Sequence, residues 1–328
     1  MESLVFAVNA VAPIIILIEL GYFIKRIGMA DEELARKANK IVFRVLLPVM
    51  LFSNVYKIED LAAVELGYIW YALGMTAAVF VLALFLSGFV TKEGPRRGVL
   101  IQGIFRSNYA LIGIPLAGSL FGSDGTAVAA VLSAFAIPIF NILAVTALAV
   151  FGKGRDKIDL KEIAFDIIKN PLIQGVAAGF CALLIRAFFA EAGIGFRLFD
   201  IEPVEKVIGY ISGSATPVAL MVLGAQFEFS AIVGMKKEII FGTAMRCAVV
   251  PLIGIGTAYL FFGDVFSGAQ FAAITALFAT PAAVSTVPMA QEMGGDTALA
   301  GQLLVWSTVF SAPAVFAATV LLKAAGIF

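Results

Sequence analysis

Long apolar runs dominate the chain, and their lengths limit what it can fold into. A helix needs about 20 mostly apolar residues to cross a hydrocarbon core roughly 30 Å thick. Soluble proteins contain roughly 45–50% apolar and about 25% charged residues, whereas this sequence has 61% and 14%. It therefore predicts an all-α polytopic membrane protein with ten transmembrane helices. The predicted spans are residues 5–24, 39–57, 66–91, 98–122, 125–151, 171–190, 205–227, 238–262, 268–292 and 297–323.

The basic residues are concentrated in alternate loops. The loops after spans 1, 3, 5 and 7 hold fifteen of the 23 lysines and arginines, whereas the opposite loops are acidic or nearly uncharged. Because basic loops stay on the cytoplasmic side, we expect a multi-pass protein of the cell (inner) membrane with both termini on the extracytoplasmic side. Glu2 precedes the first apolar run without any basic residue, so that run is expected to be a retained span rather than a signal peptide.

The composition argues against several classes of function. The sequence contains no histidine, the commonest metal ligand, and Cys181 and Cys247 lie in apolar runs that favour buried hydrophobic roles. It has no ATP-binding loop, zinc-protease motif or nucleophile elbow, and no basic block typical of nucleic-acid binding. We expect no enzymatic activity, no cofactor, no bound metal and no nucleic-acid partner.

The second half of the sequence resembles the first. Aligning "SNYALIGIPLA" (Ser107–Ala117) with "TPAAVSTVPMA" (Thr280–Ala290) places Pro115 on Pro288. Spans 2 and 7 align as well, with a proline in the same position of each. Five spans per half is an odd number, so a duplicated second half would insert upside down, which is typical of secondary transporters. The predicted units are a first five-helix repeat (1–152), a cytoplasmic linker with a short amphipathic helix (153–170) and an inverted second repeat (171–328).

Prolines predict breaks in spans 4 and 9. Pro115 should break or kink the first of these helices, and Pro281 and Pro288 the second, because proline removes a backbone donor and clashes with the preceding turn. The freed backbone groups must face protein or a wet cavity rather than lipid. We expect the two breaks to meet and form a substrate site. Its polar side chains would be Ser107, Asn108, Thr280, Ser285 and Thr286.

Charged residues also fall inside the predicted spans. Counting 1.5 Å per residue, Arg106 lies about 6 Å to the cytoplasmic side of the centre of span 4, and Glu19, Arg44 and Arg246 lie at similar depth. Each costs about 2.5–3.5 kcal/mol in the membrane unless it finds a partner. Glu19 is a candidate ion-pair partner of Arg106 or Arg246, and Arg44 can extend toward the cytoplasmic surface. The surplus arginine would then be available to an anionic substrate.

Two segments carry a resemblance to a known family. "SNYALIGIPLAGSLFG" and "TPAAVSTVPMAQEMGGD" resemble the two broken helices of the auxin efflux carrier family, and the short central loop resembles its prokaryotic, malate/malonate permease-like members. The resemblance implies a bile-acid-transporter-like fold in which crossing helices 4 and 9 hold the site of an elevator-type carrier of organic anions. It also implies that Asn108 contacts the substrate carboxylate near Pro115. Arg106 is not part of the plant motif, and which proline of span 9 marks the crossing stays open.

The expected function is secondary transport of small organic carboxylates, as an exporter or facilitator, by a protein whose partners are an organic anion and the lipid bilayer. One alternative is a sodium- or proton-coupled organic anion symporter of the bile-acid type, with Glu19 the only deep acid for proton coupling. Another is a membrane-embedded enzyme or sensor subunit, which would need a catalytic constellation or a soluble domain. The substrate, the coupling ion, the direction of transport and the oligomeric state, including a homodimer, stay open.

Overall fold

A computed structural model describes residues 2–57, 66–152 and 160–328. These residues form helices joined by turns and short non-helical segments. Of the predicted linker, 153–159 lie outside the described residues. In chain order, with continuous helical stretches joined, the helices are α1 (Glu2–Arg26), α2 (Glu32–Tyr56), α3 (Leu66–Val90), α4 (Gly94–Phe105), α5 (Tyr109–Phe151), α6 (Leu160–Lys169), α7 (Pro171–Glu191), α8 (Glu202–Gln226), α9 (Ser230–Phe262), α10 (Gly268–Ala279), α11 (Thr286–Glu292) and α12 (Thr297–Ala324).

Within the described part of the chain, seven helices are long and apolar enough to cross a membrane: α2, α3, α5, α7, α8, α9 and α12. Helix α10 is apolar but shorter. The predicted class, an all-α membrane protein with several spans, is confirmed.

Helix α5 reverses direction at Gly122. Phe121 and Gly122 have non-helical backbone angles, and the positive φ of Gly122 is a conformation that glycine adopts readily. A β-carbon added at Gly125 would meet the carbonyl oxygen of Ala117. Eight residues of straight helix would separate those positions by about 12 Å, so the chain has turned back on itself. The turn lies between predicted spans 4 and 5.

Three helices contain a π-helical turn that ends two residues before a proline. The turns and prolines are Val42–Leu46 with Pro48, Tyr109–Gly113 with Pro115, and Met245–Val249 with Pro251. The wider hydrogen-bond register of a π turn lets the helix continue through a residue that lacks an N–H. The helix therefore does not break at Pro115, and of the two predicted outcomes, a break or a kink, the break is wrong. The non-helical segment lies upstream, between α4 and α5.

The helices pack as two bundles. Helices α1, α2, α7 and α8 form the first bundle, and α3, α4, α5, α9, α10, α11 and α12 form the second. Glycines permit close packing within the first: Gly21 lies against the backbone of Met221, and Gly175 against the backbone of Pro48. Small residues serve this purpose in membrane helices because they let backbones approach.

Contacts among the loops define two ends of the molecule. At one end, which we call the Asp296 end, Asp296 N–H donates to the Pro95 carbonyl, and Gly152 approaches the Met293 carbonyl. At the opposite end, the Ser267 end, Gly268 lies against Phe121 and Ile327.

Candidate functional site

Two non-helical segments meet inside the second bundle. The first, 106–108, separates α4 from α5, and the second, 280–285, separates α10 from α11. We call them the paired segments because Asn108 N–H donates to the Pro281 carbonyl at 2.8 Å and Ala283 N–H to the Arg106 carbonyl at 3.2 Å. Ser107 and Ala282 thus form an isolated antiparallel bridge. The pairing satisfies backbone groups that cannot be left open in a membrane.

Arg246, on α9, lies behind the paired segments and is 1% exposed. Its guanidinium uses all five N–H donors on carbonyl oxygens at 2.8–3.2 Å. The acceptors are the carbonyls of Ile104, Phe105, Leu277, Phe278 and Thr280. These carbonyls lie at or just beyond the C-terminal ends of α4 and α10, where the helix dipole is negative. Arg246 therefore caps two helix ends at once.

The expected ion pair of Glu19 with Arg106 or Arg246 is wrong. Glu19 lies exposed on α1, and the two arginines make their hydrogen bonds to other groups. The carbonyl oxygens of two helix ends supply the negative partial charge that a carboxylate was expected to bring to Arg246. Arg44 does have an acidic neighbour, Glu292, with 3.6 Å between Nε and Oε2.

Arg106 is buried, at 4% exposed, but its partners are neutral. One terminal nitrogen donates to Asn141 Oδ1 at 2.6 Å, and the other makes a short contact with Met289 Sδ. Among the described residues no carboxylate pairs with Arg106. These contacts orient the guanidinium and leave its charge uncompensated.

A cavity of about 1420 Å³ lies between the two bundles, and Arg106 is part of its wall. Ser267 and Lys57, the latter directly after α2, line it toward the Ser267 end. Among the described residues its wall includes two cations, Arg106 and Lys57, and no carboxylate. Lys57 Nζ lies 5.9 Å from the ring centroid of Phe199. A wall of this charge favours anions.

Three consecutive residues of the cavity wall carry unpaired polar atoms. Ser107 Oγ, Asn108 Nδ2 and Tyr109 Oη are buried and have no hydrogen-bond partner in the part of the chain that the structure describes. A buried polar group without a partner costs about 1–3 kcal/mol. These atoms are therefore candidates to bind a ligand or water.

The N-terminus of α5 also faces the cavity, because residues 107–111 are part of its wall. Asn108 is the N-cap residue, but its side chain makes no capping hydrogen bond. The first N–H groups of a helix carry partial positive charge and bind anions. Arg106 and this helix end thus contribute charge of the same sign.

The predicted site residues separate into two groups. Arg106, Ser107, Asn108, Pro115 and Ser285 line the cavity. The others lie outside its wall: Thr280, whose carbonyl accepts from Arg246; Pro281, whose carbonyl accepts from Asn108; Thr286 and Pro288, which belong to α11; and Arg246 and Glu19. Of the two prolines near the second segment, Pro281 lies within it.

Sequence reasoning missed Asn141, Met289, Tyr109 and Lys57. Asn141 had a usable signal: it is a lone amide in an apolar run, and intramembrane polar residues usually have a functional partner. Met289 and Tyr109 had none, because a thioether and an aromatic ring are ordinary components of a membrane helix.

The fold and the site define a helical membrane protein with a cation-lined cavity beside paired helix ends. The family described as "Membrane transport protein" matches residues 6–163 and 160–318. The chain therefore belongs to this family of membrane transporters, and the resemblance to auxin efflux carriers is confirmed.

Two archaeal proteins are similar over much of the chain. An uncharacterized transporter of Methanothermobacter thermautotrophicus is 23% identical over 313 residues, which cover 92% of this chain and 94% of the relative. An uncharacterized transporter of Methanocaldococcus jannaschii is 28% identical over 229 residues, which cover 68% of this chain and 70% of the relative.

Proposed function

We propose that this protein is a secondary transporter, an exporter or facilitator, of small organic carboxylates, and that the substrate carboxylate binds between Arg106 and Asn108. The observation that carries the proposal is the uncompensated charge of Arg106 in the cavity wall. A carboxylate accepts hydrogen bonds from a guanidinium, an amide and a helix N-terminus. Each of these donors is present beside the cavity.

We propose a ten-span topology for the chain. Helices α4 and α10 are each too short to cross a bilayer alone. Together with the start of α5, α4 gives span 4, and α10 with α11 gives span 9. The reversal at Gly122 separates spans 4 and 5. The loops rich in lysine and arginine favour the Asp296 end as the cytoplasmic one, with both termini outside the inner membrane.

The two halves form inverted repeats in this proposal. The paired segments 106–108 and 280–285 occupy corresponding places in predicted repeats 1–152 and 171–328. Discontinuous helices at the repeat interface are typical of transporter binding sites. The two segments that match the family overlap at residues 160–163, inside the predicted linker 153–170.

The arrangement of the bundles supports an elevator-type mechanism. The cavity wall combines residues of the first bundle, such as Thr216, with Asn108 and Ser285 of the second. Near the Asp296 end the bundles touch, because Gln226 Nε2 donates to Gln291 Oε1 at 3.0 Å. We interpret this as an outward-facing state, from which the second bundle would carry the bound anion toward the cytoplasmic side.

A thermal-shift screen of the purified protein tests the proposal. The ligands are formate, acetate, malonate, malate and benzoate, each in sodium and in choline buffer at matched ionic strength. Malonamide, the neutral analogue of malonate, is the matched control. At ten times its Kd, a ligand stabilises the folded state by about 1.4 kcal/mol, or roughly 2 °C for a chain of this size.

We expect at least one carboxylate to raise Tm in both buffers and malonamide to have no effect. A rise in Tm that requires sodium would favour the sodium-coupled symporter over the facilitator as the function of this protein. If no carboxylate shifts Tm more than malonamide does, carboxylate transport is the wrong function.

A further inference from the structure

Asn141 holds Arg106 from behind the cavity wall. Its side chain is fully buried, and Oδ1 accepts from Arg106 at 2.6 Å while Nδ2 donates to the Ile137 carbonyl at 3.0 Å. Because a guanidinium can only donate and a carbonyl can only accept, this pair of contacts leaves one orientation for the amide. Phe140 and Ile137 line the cavity, whereas Asn141 is not part of its wall.

The chemistry of this partner determines the charge that Arg106 presents. Asn141 and Met289 are its hydrogen-bonding neighbours in the described chain, and both are neutral. An aspartate at position 141 would have nearly the same shape, but it would stay ionised beside the arginine. The resulting buried ion pair would cancel the charge that attracts an anion.

We propose that Asn141 is a positioning residue that determines specificity: it orients Arg106 through a neutral hydrogen bond and so keeps the cavity selective for anions. This inference rests on the proposed carboxylate site. The substrate class it predicts is one with a negative charge near Arg106, and the amide itself makes no contact with the substrate.

The Asn141→Asp variant tests the inference, because it separates charge from shape. The aspartate gains an ion pair with Arg106 but loses the donor to the Ile137 carbonyl, so we expect the two effects to offset and Tm to stay within a few degrees of the wild type. Isothermal titration with the carboxylates of the panel should show Kd raised on the order of tenfold to a hundredfold, the effect of losing one charge-assisted hydrogen bond. Asn141→Ser is neutral but one bond too short to hold Arg106, so it should raise Kd by a smaller factor, about threefold to tenfold, because the charge of Arg106 is kept and only its orientation is lost.

A double-variant cycle shows whether the effect passes through Arg106. In an Arg106→Gln background, Asn141→Asp should change Kd less than about twofold. An equal loss with and without Arg106 would instead indicate a structural effect of the aspartate and would overturn the inference.

Failure of this inference can be distinguished from failure of the proposed function. If the wild type binds none of the five carboxylates, the proposed function is wrong and the inference falls with it. If the wild type binds and Asn141→Asp binds within twofold, the site stands and the role of Asn141 alone is overturned. A purely structural role predicts that Tm falls together with affinity in both single variants.

Discussion

The two sides of the paired segments each hold a buried arginine, and these arginines differ in their partners. Behind the segments, Arg246 donates all five of its guanidinium N–H groups to backbone carbonyls. In the cavity wall, Arg106 binds an amide and a thioether. Both were expected at similar depth in the membrane, where an unpartnered charge is costly. The chemistry of the partners, rather than depth, therefore separates a structural cation from one available to a ligand.

The largest expected effect is on the stability of the Arg246 side. Arg246→Ala removes five hydrogen bonds from two helix C-terminal ends, and we expect a loss of about 3 kcal/mol, or roughly 4 °C in Tm. Arg44→Ala is the matched control, because Arg44 is largely exposed and lies 3.6 Å from Glu292. It should cost less than about 1 kcal/mol. Equal shifts in Tm for the two variants would contradict the assigned role of Arg246.

A smaller effect is expected on binding at the Arg106 side. Asn108→Ala should raise Kd for a bound carboxylate about tenfold, and Ser107→Ala by a smaller factor, because each loses one hydrogen bond to the ligand. The matched control is Asn39→Ala, since Asn39 also has a buried unpaired Nδ2 but lies outside the cavity wall. Titration calorimetry measures all three variants. The site is misplaced if Asn39→Ala weakens binding as much as Asn108→Ala.

The smallest expected effect is at Lys57, the exposed cation of the cavity wall. Lys57→Gln should raise the KM of carboxylate uptake two- to threefold at low salt, and the difference should vanish at high salt because exposed charges are screened. Lys237→Gln serves as the control, since Lys237 Nζ is bound to the Phe89 carbonyl, away from the cavity. A salt-independent change at Lys57 would show that its charge does not guide the anion.

The sequence predicted the helical membrane class because apolar runs of about 20 residues leave few alternatives. It also singled out Arg106, Ser107 and Asn108, since polar residues inside a span are costly. The partners of Arg246 were not predictable, because every residue carries a carbonyl and these come from residues 104–105 and 277–280. The break expected at Pro115 was misplaced because a π turn accommodates that proline.

In the proposed site, the charge of Arg106 binds the substrate carboxylate. The most direct test is uptake of a radiolabelled carboxylate from the panel into proteoliposomes by the wild type and by Arg106→Gln, a neutral side chain of similar length. We predict that kcat/KM falls on the order of a hundredfold, the effect of losing a charge-assisted contact, while Tm changes by only a few degrees. Uptake by Arg106→Gln at the wild-type rate would contradict the proposed role of Arg106 in substrate binding.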